Sequence, residues 1–157
     1  MYLKLLNYRI NESSFKTNPI PPGVNNFRIN PNIRMDIKKS PTDFFLMITA
    51  SVKAQEGEKL PFEFEVKLSG NFKITDEQAD VDAMRIEASK MLYPYIRSYI
   101  ATMTAGANMM CYYLPLLDFD TAPATKQTER TKPTAPGSPQ KPGTKGDTII
   151  IRPIDEV

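Results

Sequence analysis

The chain has 157 residues, 41% of them hydrophobic and 24% charged, with 20 Lys and Arg against 18 Asp and Glu. A formal charge of +2 is no signature for nucleic acid or a membrane surface, and the absence of histidine excludes imidazole bases and His-held metals. Cys111 is the single cysteine, so neither an intrachain disulfide nor a cysteine-held metal is expected.

Met1 to Ile10 lacks a basic region followed by an apolar run, and no stretch approaches the roughly 18 apolar residues of a membrane span. The expectation is a cytoplasmic protein without membrane insertion, and a lone cysteine suits that compartment. Four stretches then read at period two. Tyr2–Ile10 is the first, with its faces only partly sorted. The second runs from about Phe27 to Lys38, with Ile33, Met35 and Ile37 on one side and Arg34, Asp36 and Lys38 on the other. The third is Phe44–Ala54. The fourth is the clearest, with Phe62, Phe64, Val66, Leu68, Phe72 and Ile74 alternating with polar residues. Gly70 fills the one gap in that apolar set, where a glycine implies a bulge or a close backbone approach.

Residues 39–43 and 55–59 are short and rich in turn formers, which predicts antiparallel hairpins. Residues 11–26 read as a long crossover loop carrying exposed Phe15 and Ile20, and loops of that length are often functional. Thr75 or Asp76 can cap a following helix, with Gln78 spaced to complete a capping box. Val81, Met84, Ala88, Met91, Leu92, Tyr95, Tyr99 and Met103 form one apolar stripe along it. Pro94 either kinks this helix or starts a second one, and Gly106 ends the run. Residues 111–119 are apolar and extended, with Pro115 forbidding a regular helix.

The fold class is therefore α+β: a four-stranded antiparallel sheet followed by a Pro-kinked helix or helix pair. The expected domain covers residues 1–119, since all seven tyrosines and eight phenylalanines lie between Tyr2 and Phe119. Residues 120–147, rich in Pro, Thr, Lys and Gly, read as a disordered linker. Residues 148–157 contain four isoleucines between Ile149 and Ile154. They are either a loose end or a tethered β-segment that docks on a sheet edge or in an apolar groove.

The striped helix and the apolar 111–119 stretch exceed what one sheet face of this size needs to cover, which implies partners and self-association. The order of motifs resembles the SecB family of protein-export chaperones. The resemblance rests on the SSFKTNP crossover (13–19), Gly70 two residues before Phe72, Leu92-Tyr93-Pro94-Tyr95-Ile96-Arg97, and Leu114-Pro115-Leu116-Leu117-Asp118-Phe119. It covers residues 2–119. It implies a cytoplasmic, ATP-independent holdase for unfolded polypeptide, assembled as a homotetramer from two dimers, with no cofactor. Clients of the family wrap along apolar grooves, for which Phe15, Ile20, Met84, Met91, Leu92, Met109, Met110, Tyr112, Tyr113 and Leu114 are the candidates here. Tyr2, Leu3, Leu5, Ala88, Tyr95, Tyr99 and Met103 are the candidates for subunit interfaces.

Family members hand clients to the export motor SecA through a negative sheet face. Here Glu63 and Glu65 sit among Arg34, Lys38, Lys67 and Lys73, and the Cys-Pro expected before the Leu-aromatic-Pro motif is replaced by Ala88-Ser89-Lys90. The alternative reading is an adaptor dedicated to one client, such as the antitoxin of a toxin–antitoxin–chaperone locus or a mobile-element protein.

Catalysis is not expected. Asp80, Asp82 and Glu87 lie where helix caps and surface charges belong, Ser13-Ser14 has no base beside it, and Cys111 reads as a small buried apolar residue with no cation to activate it. A nucleic-acid reading fails because the polar sheet face offers only Phe45 as a stacking ring. Methionine adds soft, adaptable apolar area, and there are eight.

Overall fold

Alternation in the middle of the chain becomes a sheet because every second residue has a core to face. The computed structural model describes residues 1–20, 22–23, 27–120 and 147–151. Its strands are β1 (Leu3–Thr17), β2 (Asn32–Lys39), β3 (Asp43–Val52), β4 (Phe62–Ile74) and β5 (Asp147–Ile151), with one helix, α1 (Val81–Gly106), between β4 and β5. The sheet order is β1-β4-β3-β2-β5, and every neighbouring pair is antiparallel. α1 lies on the apolar face. Ile33, Met35, Phe44, Leu46, Ile48, Val66, Leu68 and Phe72 of the sheet are buried with Met84, Ala88, Leu92, Ile96 and Ile100 of the helix. The architecture is the α+β arrangement expected for the first 119 residues. The expected linker lies almost wholly within 121–146, outside the described residues.

The first strand is longer than its pattern predicts, and the ladder explains why. Register shifts fall between Leu5 and Asn7 and between Ile10 and Glu12. Each bulge moves the inward phase by one residue, so Leu3 and Leu5, then Tyr8 and Ile10, then Ser13 and Phe15 come opposite the core positions of β4. Residues 11–17 thus belong to β1 rather than to a loop, and Phe15 is a strand residue opposite Phe64. Polar pairs hold this part: Lys67 Nζ lies 2.7 Å from Glu12 Oε2, and Asn11 Nδ2 donates to Ser69 Oγ at 2.9 Å.

The helix starts later than its capping signal implies. The N-cap is Asp80, which makes no side-chain cap bond. Thr75 is committed elsewhere: its N–H donates to the Tyr2 carbonyl and its hydroxyl to that of Met1. Asp76 instead accepts from the Gln78 N–H at 3.0 Å, a local turn. α1 is a single helix of 26 residues with Pro94 inside it. A proline there leaves the Lys90 carbonyl without its i+4 donor, yet the helix continues because both halves pack on one sheet.

Gly70 marks a close approach. A Cβ at that position would lie 2.6 Å from Leu92 Cδ1. The glycine therefore lets the helix settle on β4 at the point where Leu92 is fully buried.

Candidate functional site

Beyond α1 the chain reverses and runs back along the helix as an extended strap. Asn108 takes the left-handed conformation at φ 58° that ends the helix, and the Met109 N–H donates to the Thr104 carbonyl. Thr104 anchors the reversal again, its Oγ1 accepting from the Tyr112 N–H at 2.9 Å. Further along, Arg97 Nε donates to the Leu114 carbonyl at 2.8 Å, and the Tyr93 hydroxyl donates to the Pro115 carbonyl. The Tyr93 ring meets Phe119 edge-on with centroids 5.4 Å apart, and Lys90 Nζ closes the strap on Asp120 at 2.7 Å. Two separate sequence motifs, 92–97 and 114–119, thus exist to hold each other. Burial pushes the Tyr93 phenol well above the usual tyrosine range, so it stays a neutral donor.

The strap alternates between two environments. Tyr112, Leu114 and Phe119 turn inward, whereas Met110, Cys111, Tyr113 and Leu116 face solvent. Cys111 is therefore exposed, not buried as its apolar neighbours imply, because the extended backbone sends its side chain opposite to Tyr112. Met110 is 91% exposed and Leu116 82%. Leu116 is missing from the sequence candidates; its place directly after Pro115, which holds the backbone extended, is the signal that could have found it.

Behind the strap lies an aromatic shelf. Phe15 stacks on Phe62 at 5.9 Å, Phe62 on Phe64 at 5.9 Å, and Tyr112 tilts over both at 5.4 and 6.1 Å. Burial holds the Tyr112 phenol up at about 12. A shallow hollow of about 240 Å³ lies on the charged face of the sheet, lined by Ser14, Lys16, Lys53, Glu63 and Glu65 with Phe15 and Phe64. Ile20 is exposed just past Asn18, whose N–H donates to the Pro61 carbonyl at 2.9 Å.

The structure divides the sequence candidates. Phe15, Met109 and Tyr112 are half-buried at the shelf, and Ile20, Met110 and Tyr113 are exposed. Met91 is half-buried on the helix. Met84, Leu92 and Leu114 are fully buried within one chain, so no groove presents them: the sheet and the strap already cover them. The interface candidates divide too. Leu3 and Ala88 are core residues, and Leu5 is partly buried against the core. Tyr2 and Tyr95 are exposed, while Tyr99 and Met103 are half-buried. Tyr95, Tyr99 and Met103 form a row along β1: Tyr95 stacks on Tyr8 at 4.1 Å, and Tyr99 and Met103 both meet the Ser13 hydroxyl. The exposed Tyr8 places this second apolar patch beside the outer edge of β1.

The opposite sheet face is a lattice of paired charges. Lys53 Nζ lies 3.1 Å from Glu65, and Lys67 bridges Glu12 and Glu65. The Lys53 ammonium holds the Glu65 carboxyl below its usual range, the Ala54 N–H does the same for Glu63, and Glu12 raises Lys67. No group of side chains among the described residues is arranged to hold a metal ion, and no described helix is long and apolar enough to cross a membrane.

Comparison with known proteins adds to this picture. Residues 3–130 match the family model described as preprotein translocase subunit SecB. The chain is 32% identical over 120 residues to an uncharacterized protein of Methanocaldococcus jannaschii, spanning 72% of this chain and 77% of that one. It is 29% identical over 126 residues to the protein-export protein SecB of Anaplasma marginale, spanning 62% of this chain and 72% of the relative. Among solved structures, the fold matches a SecB-like chaperone of Mycobacterium tuberculosis in complex with a peptide from the HigA1 antitoxin. The TM-score is 0.61 at 14% identity, over 74% of this chain and 91% of that one.

Proposed function

Because the chain belongs to the SecB family, we propose that it is an ATP-independent chaperone that holds non-native polypeptide against the strap and the aromatic shelf. The observation that carries this reading is the strap itself. It is fixed to the helix by Tyr93, Arg97 and Thr104, with the Arg97 guanidinium over the Tyr113 ring, yet it turns Met110 and Leu116 outward, where they do nothing for the core. Covering ~400 Å² of apolar surface at ~25 cal/mol/Å² supplies on the order of 10 kcal/mol before ordering costs. An unfolded client loses much of that to immobilisation, so useful affinity requires several such surfaces in one particle.

The Tyr8–Tyr95 patch beside the outer edge of β1 supplies the means of assembly. In this reading two copies join there, and pairs of dimers build a cytoplasmic homotetramer that needs no cofactor and performs no catalysis. The second reading, a chaperone dedicated to one client, draws support from the lattice of paired charges on the sheet face, which presents no acidic field to a SecA-type motor.

The test is aggregation of several unrelated unfolded proteins with the purified chain and no nucleotide. Delay of all of them at close to one tetramer per client is the expected result. Protection of a single partner selects the dedicated-client reading, and protection that requires ATP contradicts both.

A further inference from the structure

The edge of β2 is filled by a segment from far along the chain. Residues 147–151 pair antiparallel with 33–37, although residues 121–146 separate them from the strap. The register sets Ile151 opposite Ile33, Ile149 opposite Met35 and Asp147 opposite Ile37. Those three β2 residues have their side chains buried in the core, and β2 sits next to β3 on its other side. Without β5, β2 would be an edge strand with unpaired backbone groups running beside a continuous apolar row, a template for any extended chain. Backbone pairing of this kind is indifferent to sequence, and selectivity comes only from the alternate positions that meet the row.

The geometry points to the β2 edge as a strand-addition site for polypeptide, occupied in the resting protein by the chain's own residues 147–151. The incoming partner is an extended, uncharged segment with Ile, Val or Leu at two positions two residues apart, the spacing of Ile149 and Ile151. The identity of that partner as a non-native client rests on the chaperone reading; the occupancy of the edge by the tail does not. A tethered segment faces its slot at an effective concentration on the order of 1 mM, so a client has to outcompete it, and the tail sets a threshold that weakly β-forming chains do not pass.

The experiment uses the full chain and its I149D/I151D variant, with hydrogen exchange read over residues 32–39 and over α1 as the fold control. In the variant, exchange of the edge-facing β2 amides is expected to rise at least about tenfold with α1 unchanged. A synthetic peptide of residues 144–157 should restore protection, and the same peptide carrying both aspartates should not. An unfolded probe should bind the variant about tenfold or more tightly than the parent and slow β2 exchange as the peptide does. Unchanged β2 exchange in the variant would overturn the proposal. So would an opened edge left unprotected by a probe that binds both chains equally well, or a variant that falls to a smaller assembly, which would place the tail on a second copy. If neither chain binds any probe while the peptide still protects β2, the strand-addition site stands and the chaperone reading fails.

Discussion

Replacing Leu92 with alanine is expected to lower the unfolding free energy by about 2–5 kcal/mol, while the L92A/G70A double variant loses less than the sum of its two parts. Leu92 is fully buried, and its branched end lies in the space a Cβ on Gly70 would need. Alanine at 70 alone forces that side chain aside in a packed core and costs about 1–3 kcal/mol. Once Leu92 is truncated the obstacle is gone, and the new methyl partly refills the void, so a favourable coupling of about 1 kcal/mol or more is expected. Urea unfolding of the four proteins measures it. Strict additivity would mean that the helix does not rest on β4 at this point.

The second large effect falls on binding rather than stability. The M110S/L116S variant is expected to unfold within about 0.5 kcal/mol of the parent, because neither side chain contributes to the core. Each side chain, if fully covered by a client, contributes about 1.5–3 kcal/mol. Allowing for incomplete coverage, affinity for an unfolded probe should fall about tenfold or more. Fluorescence titration with a labelled unfolded protein reads the change directly. Intact affinity would remove the strap from the client surface. Truncating Leu114 instead would confound the two effects, since that residue is core and the backbone around it receives Arg97 and Tyr93.

What can be read from the sequence follows from how regular each element is. β3 and β4 keep one inward phase from end to end, so their alternation is complete and their partners follow from the hairpins. β1 does not: two bulges shift the phase, and a strict period loses Tyr8 and turns residues 11–17 into loop. The helix stripe mixes two adjoining rows for a similar reason. Met84, Ala88 and Leu92 enter the core, together with Ile96 and Ile100, which the stripe omits, while Tyr95, Tyr99 and Met103, nearly as apolar, lie along β1 and remain half open. Apolarity alone cannot separate those rows, because the second is stabilised by ring stacking and by the Ser13 hydroxyl. Gly70 is legible because a missing side chain in an apolar set has few causes. The fate of the strap is not, since its inward and outward sides are decided by Thr104, Arg97 and Tyr93, far away in the chain.

If non-native polypeptide settles on the strap and shelf, as proposed, the eight methionines report it directly. Methyl-labelled methionine spectra of the full-length protein should be recorded before and after adding a permanently unfolded client. The signals of Met109 and Met110 on the strap are expected to move, while that of the fully buried Met84 under the helix stays in place. Saturating client with Met109 and Met110 unmoved would contradict the account.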